Sequence, residues 1–98
     1  FPADADVLAA LAEAEYDAGN FPAALAAAEK ASAVRPNFAH ALIYQGRALL
    51  QIGRAAPAVA DWKAIRAVLG RANRLDPDDA EPLMLFYQTF RAQGIVPT

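Results

Sequence analysis

The sequence predicts an all-α fold of about five antiparallel helices in one domain. Alanine, the best helix former, occupies 26 of the 98 positions. Apolar residues recur at helical spacing, as in Val7, Leu8 and Leu11, and no β-branched run alternates with a period of two. Glycines and prolines separate these stretches at short intervals, which indicates tight turns between neighbouring helices.

Glycine and proline also mark the predicted helix ends. Gly19, Gly53 and Gly94 each follow a helical stretch, and glycine readily adopts the left-handed conformation found just past many helix ends. Pro22 and Pro57 are expected in first turns, where the missing N–H has no partner to lose. The predicted helices cover residues 5–18, 22–34, 39–52, 57–75 and 80–93, the fourth running unbroken through Gly70.

Polar residues stand where these helices should begin. Their side chains can accept hydrogen bonds from first-turn N–H groups that lack a partner within the helix. The candidates for this role are Asp4 or Asp6, Asn37, and Asp78 or Asp79. Pro36 and Pro77 are expected to stop the preceding helices, since the residue before a proline is disfavoured in helical conformation.

Composition excludes several classes of protein. Nine Lys and Arg against eleven Asp and Glu give a formal charge of −2, which argues against nucleic acid as a partner. No apolar run reaches the roughly 18 residues of a membrane span, so we expect no membrane insertion. The lack of cysteine excludes disulfides and leaves open whether the chain resides in the cytoplasm or the periplasm. Because residue 1 is not Met, we expect a piece of a longer protein.

The landmarks of the first two units of the sequence lie 34 residues apart. In the first unit they are Leu8, Leu11, Ala12, Gly19, Phe21, Ala24, Ala31 and Pro36. In the second they are Leu42, Gln45, Gly46, Leu49, Gly53, Ala58 and Trp62. A third unit begins with Leu83, Phe86, Tyr87, Phe90 and Gly94. This pattern resembles the tetratricopeptide repeat, a 34-residue helix pair that closes on a proline.

The resemblance implies a right-handed superhelix, or solenoid, of stacked helix pairs. The first repeat would cover residues 5–38, the second 39–79, and the first helix of a third repeat would lie within 80–98. Pro77 comes seven residues later than the period requires, which predicts a fourth helix about two turns longer than its counterpart. Tyr87 departs from the family pattern, which usually has Gly or Ala at that place.

Side-chain size agrees with such a stack. Small residues, among them Ala24, Gly46 and Ala58, are expected where helices cross closely, while Leu11 and Trp62 should fill the space between pairs. The third unit lacks its second helix. We therefore expect an exposed apolar stripe formed by Leu83, Phe86 and Phe90.

The resemblance also implies a binding face, because in this family the first helix of each repeat lines the concave side of the superhelix. The corresponding residues on the first helix are Asp6, Glu13, Tyr16 and Asp17. On the third helix they are His40, Ile43, Arg47, Leu50 and Gln51. On the fifth they are Met84, Gln88 and Arg91. This mixture of acidic, aromatic, apolar and basic side chains would suit a peptide or partner protein. Glu13 stands where some members of the family carry a group that grips a carboxylate, which argues against that use.

No enzymatic activity, metal or cofactor is expected. His40 has no second histidine or suitably spaced carboxylate in sequence, and the acidic segment 76–81 lacks the spacing of a calcium loop. The resemblance implies a function in protein–protein interaction or scaffolding. The alternative is a non-catalytic accessory domain that packs against an enzyme domain outside these residues, and a third option is homo-oligomerisation through the uncapped third unit.

Overall fold

The computed structural model describes residues 4–95, which contain five α-helices and no strand. The helices are α1 (Ala5–Asp17), α2 (Phe21–Val34), α3 (Ala39–Ala55), α4 (Trp62–Leu75) and α5 (Glu81–Gln93). The predicted all-helical class and the number of helices are confirmed. The last three positions of the predicted third unit, 96–98, lie outside the described residues, as do residues 1–3.

Helices α1 and α5 begin at polar side chains and end at glycines where the sequence indicates. The Asp4 carboxylate accepts a hydrogen bond from the Asp6 N–H at 2.9 Å, and Asp79 accepts one from the Glu81 N–H at 3.0 Å. Gly19 and Gly94 follow α1 and α5 with left-handed φ angles of 82° and 91°. These two glycines release the chain from one helix and redirect it. Asn37 does not cap α3, because α3 begins after Phe38 and has no side-chain cap.

The boundary between α3 and α4 differs from the prediction. Helix α3 continues through Gly53 to Ala55, and Pro57 lies in the connection rather than in a first turn. Helix α4 begins instead at Trp62, where the Asp61 carboxylate accepts a hydrogen bond from the Ala64 N–H at 3.1 Å. An aspartate N-cap satisfies a first-turn N–H group, whereas a proline fits in a first turn without satisfying one. The Asp61 cap therefore decides where α4 starts.

The seven additional residues of the second unit are therefore not in α4. Helices α2 and α4 both have 14 residues, so the predicted elongation of the fourth helix is wrong. Helix α3 has 17 residues against 13 in α1, and the connection 56–61 is three residues longer than the connection 18–20. The predicted continuity through Gly70 is confirmed, since α4 runs unbroken to Leu75.

The helices form an extended arrangement rather than a closed bundle. Each helix contacts the next one along the chain, and α3 also contacts both α1 and α5. Within residues 4–95, α2 makes no contact with α4, and α1 touches neither α4 nor α5. The described residues measure 49 × 28 × 19 Å along their principal axes. The odd-numbered helices thus form one row, and each even-numbered helix packs against two members of that row.

The core changes character along this row. Between α1, α2 and α3 it consists mainly of alanines, and Ala12, Ala24 and Ala31 are wholly buried. Between α3, α4 and α5 it consists of bulky side chains, centred on Leu50, Trp62, Ile65, Leu69 and Leu85. Small side chains allow close approach of helix axes, so the first three helices are held by close packing of their backbones. The last three helices are held by burial of large apolar side chains.

Two of the predicted packing positions are wrong. Ala58 is exposed because it lies in the 56–61 connection, and Ile65 of α4 takes the buried place that Ala24 has in α2. Leu11 is 48% exposed on the outer side of α1. In the third unit Leu83 is exposed as expected, while Phe86 packs against the core and Phe90 is half-buried.

Candidate binding face

Most of the predicted binding residues remain accessible on α1, α3 and α5. These exposed or half-buried residues are Asp6, Glu13, Tyr16, Asp17, His40, Arg47, Gln51, Met84, Gln88 and Arg91. Ile43 and Leu50 do not belong to this group, because they are only 8% and 1% exposed. Leu50 packs with Trp62 and Ile65, and Ile43 packs with Leu42 and Ala72. We call the accessible surface of the three odd-numbered helices the odd-helix face.

Tyr16 joins α1 to α3 on this face. Its ring meets the ring of Tyr44 edge-on at 5.8 Å between centroids, and it is tilted against Phe21 at 5.3 Å. The Gln51 side-chain amide donates a hydrogen bond to the Tyr16 hydroxyl at 3.3 Å. Tyr16 is therefore held in place by neighbours on three sides. This reduces the conformational entropy that Tyr16 would lose on binding a partner.

His40 lies next to Glu13 in the same region. The imidazole Nε2 is 3.6 Å from a Glu13 carboxylate oxygen, and its ring is edge-on to Tyr44 at 5.1 Å. Both side chains of this pair are about half exposed.

Arg47 connects α3 to α5. Its guanidinium lies 4.6 Å from the centre of the Tyr44 ring, and its Nε donates to the Glu81 carboxylate at 3.0 Å. Burial acts to lower the pKa of Arg47, but the hydrogen bond and the charge of Glu81 outweigh it and raise that pKa. Burial also raises the pKa of the Tyr44 hydroxyl. Both groups therefore keep a single protonation state at neutral pH.

Asp6 and Arg35 form an exposed pair at the edge of the face. Two guanidinium nitrogens donate to the two carboxylate oxygens at 3.1 and 3.2 Å. This hydrogen bonding, together with the positive charge of Arg35, lowers the pKa of Asp6. Arg35 also lies over the Phe38 ring at 4.5 Å. Asp6 is thereby engaged within the chain, whereas Asp17 is an exposed carboxylate near the end of α1.

At the other end of the face lies an open cavity of about 510 Å³ between the last turns of α3 and α5. It is lined by Arg54, Gln88, Arg91 and Ala92. Arg54 donates to the Gln88 side-chain oxygen at 3.2 Å. We call this open cavity the arginine cavity. One to two turns earlier on α5, Met84 and Tyr87 are 54% and 60% exposed.

A second depression, of about 420 Å³, lies on the other side of the molecule in the gap between α2 and α4. Its lining includes Glu29 and Ser32 of α2, Gln45 of α3, and Arg71 of α4. The Ser32 hydroxyl donates to the Gln45 side-chain oxygen at 3.3 Å across it. Sequence reasoning missed this depression because it assigned binding only to the first helix of each repeat.

Tyr44 also contributes to the odd-helix face, although it is not among the predicted binding residues. Its ring is buried beneath Tyr16, His40 and Arg47, and it supports all three. The signal was present, since residues 40, 44, 47 and 51 follow the helical spacing that places side chains on one face. Glu81 of α5 lies on the same side, as the partner of Arg47.

Within residues 4–95, no three His, Cys, Asp or Glu side chains are grouped closely enough to hold a metal ion. None of the helices in this range combines the length and apolarity needed to cross a membrane. Comparison with the models of known protein families gives no match, and no curated protein sequence is significantly similar to the chain.

Proposed function

We propose that this chain is a protein-interaction module built like tetratricopeptide repeats, and that it binds a partner on the odd-helix face. The pairing of helices supports the repeat architecture, because α1, α3 and α5 contact in sequence while α2 and α4 stay apart. A right-handed superhelix of helix pairs would produce these contacts. The close crossing of α3 and α4 at Gly46 is also in keeping with the pattern of small residues in such repeats.

The continuous side-chain network across the three odd-numbered helices carries this proposal. Gln51 of α3 donates a hydrogen bond to Tyr16 of α1. Two further residues of α3, Arg47 and Arg54, donate to Glu81 and Gln88 of α5. Long polar side chains that are already held in one conformation lose little entropy when a partner binds. A face of this kind is suited to an extended peptide, which needs contacts spread over several helices.

A displayed library of random peptides, selected against the immobilised chain, tests the proposal. Fluorescence anisotropy then measures binding of the selected peptides to the chain and to two variants. Met84→Glu places a negative charge on the odd-helix face and should weaken binding at least about tenfold. Ala33→Glu is the matched control, because it places the same charge in the depression between α2 and α4. Peptides weakened only by Ala33→Glu, or failure of any peptide to bind, would contradict the proposal.

The accessory-domain alternative is favoured by a different observation, the apolar side chains at the two ends of the helix row. Val7 and Leu11 are exposed on α1, and Leu83 is exposed on α5. Such faces are suited to packing against a neighbouring domain or a second copy. The accessory-domain alternative predicts that no free peptide binds. The homo-oligomerisation option predicts that Leu83→Ser lowers the concentration-dependent association measured by sedimentation.

A further inference from the structure

The arginine cavity differs in charge from the rest of a chain that is acidic overall. Arg54 and Arg91 approach the same space from the last turns of two neighbouring helices. Within residues 4–95, no carboxylate lies in ion-pair contact with either guanidinium. Arg35 and Arg47, in contrast, have Asp6 and Glu81 as partners. Two like charges that share a cavity attract an anion from outside the chain.

The geometry of the cavity favours a carboxylate. Gln88 accepts one hydrogen bond from Arg54, which orients that guanidinium, and the other N–H groups of Arg54 have no partner within residues 4–95. A guanidinium binds a carboxylate through two parallel hydrogen bonds, which gives both affinity and directional preference. The side-chain amide of Gln88 supplies a further N–H donor at the same place.

Apolar surface beside the cavity defines the second part of the partner. Met84, Gln88 and Arg91 are spaced along one side of α5, and Tyr87 lies next to them. Met84 and Arg91 are about 10 Å apart along the helix axis at 1.5 Å per residue. An extended peptide covers that distance in about three residues. A partner that uses both places needs an apolar and an acidic residue three positions apart.

We propose that the arginine cavity binds an aspartate or glutamate side chain of an extended partner peptide, with an apolar residue three positions away resting on Met84 and Tyr87. This inference rests on the proposed function and specifies the chemistry of the partner. The apolar residue gives the peptide a hold that a free anion lacks. An acidic segment of a protein is therefore the partner class that this surface fits.

Two synthetic peptides test the inference by NMR titration of the ¹⁵N-labelled chain. Both are uncharged at their ends and carry a leucine three positions from either a glutamate or a glutamine. The glutamate peptide should shift the side-chain signals of Arg54, Gln88 and Arg91 and bind at least about tenfold more tightly than its analogue. Raising the NaCl concentration from about 50 to about 500 mM should reduce this difference.

The double variant Arg54→Gln with Arg91→Gln should remove the preference for glutamate. Arg74→Gln is the matched control, because Arg74 also lies in the last turn of a helix but lines no part of the cavity. All three arginines lie in the last turn of a helix, where their charge complements the helix dipole. A loss of stability that both variants share can therefore be distinguished from a loss of binding that only the double variant shows.

Equal binding of the two peptides, or a preference that survives the double variant, would overturn the inference. Tighter binding of a six-residue oligothymidylate with the same arginine dependence would also overturn it, because the cavity would then serve nucleic acid. If the library-selected peptides still bind the odd-helix face while glutamate brings no advantage, the acidic pocket is wrong and the proposed function stands. If neither kind of peptide binds there, both are wrong.

Discussion

Gly46 shows how one side chain controls the distance between two helices. A Cβ atom at this position of α3 would lie 2.3 Å from Leu69 Cδ2 and 3.0 Å from Leu69 Cγ, far inside contact distance. Leu69 is wholly buried in the core of α3, α4 and α5 and cannot turn away freely. The predicted role of Gly46 as a small residue at a helix crossing is thus confirmed.

We predict that Gly46→Ala lowers the free energy of unfolding by about 1–3 kcal/mol, because overpacking outweighs the better helix propensity of alanine. Gly70→Ala is the control, since its Cβ would meet only the Arg74 side chain at 3.5 Å. Alanine at position 70 should stabilise α4 by about 0.5–1 kcal/mol. Urea denaturation followed by circular dichroism gives both values. Equal stabilisation by the two changes would show that α3 and α4 do not approach this closely.

Asp6 gives a pH-dependent prediction at the same scale. Its pKa is lowered by Arg35, so the pair stabilises the fold above the unfolded pKa of about 4, and that contribution is lost as pH falls through the folded value. NMR titration of the Asp6 carboxyl should give a midpoint below the ordinary value, and Arg35→Gln should move it upward. An unchanged midpoint in Arg35→Gln would mean that the pair does not persist in solution.

Individual small residues could be predicted only where the surrounding helix was placed correctly. Ala24 and Gly46 lie in the interior as the pattern requires. The sequence pattern predicts a helix end at Gly53, but this residue is buried within α3, where a Cβ would lie 2.9 Å from the Trp62 ring. Glycine serves both as a helix terminator and as a space for a large neighbour, and sequence does not separate the two uses.

At the scale of elements, Trp62 fixes the start of α4 and the shape of the connection before it. The side chain is 5% exposed, and its indole N–H donates to the Pro57 carbonyl at 3.0 Å. The ring thus joins the core to the 56–61 connection. Its predicted burial is confirmed, but it occupies the first residue of α4, as Phe21 does in α2.

We predict that Trp62→Ala lowers the free energy of unfolding by about 3–5 kcal/mol, because it leaves a cavity beside Leu50 and Ile65. Trp62→Phe is the matched change, because it keeps an aromatic ring but loses the hydrogen bond, and it should cost less than Trp62→Ala. Chemical denaturation measures both. A loss below about 1 kcal/mol for Trp62→Ala would show that the ring does not hold α3 and α4 together.

The start of α4 could not be predicted from local signals alone. Pro57 lies within one residue of the place that the 34-residue period gives to Pro22, while Asp61 is the stronger cap. The choice depends on Trp62, whose burial against α3 requires α4 to begin there. The remaining helix ends lie within one residue of prediction except for the end of α3, which follows from the same misplacement.

At the scale of the whole molecule, side chains of α3 reach both neighbouring helices of the odd-helix face. Arg47 reaches Glu81 and Arg54 reaches Gln88, each 34 residues further on, and Tyr16 meets Gln51 at a separation of 35. The period predicted which helices carry the face. It did not predict that Ile43 and Leu50 turn inward, because the rotation of α3 is set by packing against the bulky residues of α4.

Photo-crosslinking decides between the two sides of the molecule. A selected peptide that carries a benzophenone side chain is bound to the chain, irradiated, and mapped by mass spectrometry. Met84 is the only methionine in the sequence and a preferred target of benzophenone, so it provides a sharp signal on the odd-helix face. We predict crosslinks to Met84 and neighbouring residues of α5. Crosslinks confined to Ser32, Ala33 and Ala67, in the depression between α2 and α4, would contradict binding on the odd-helix face.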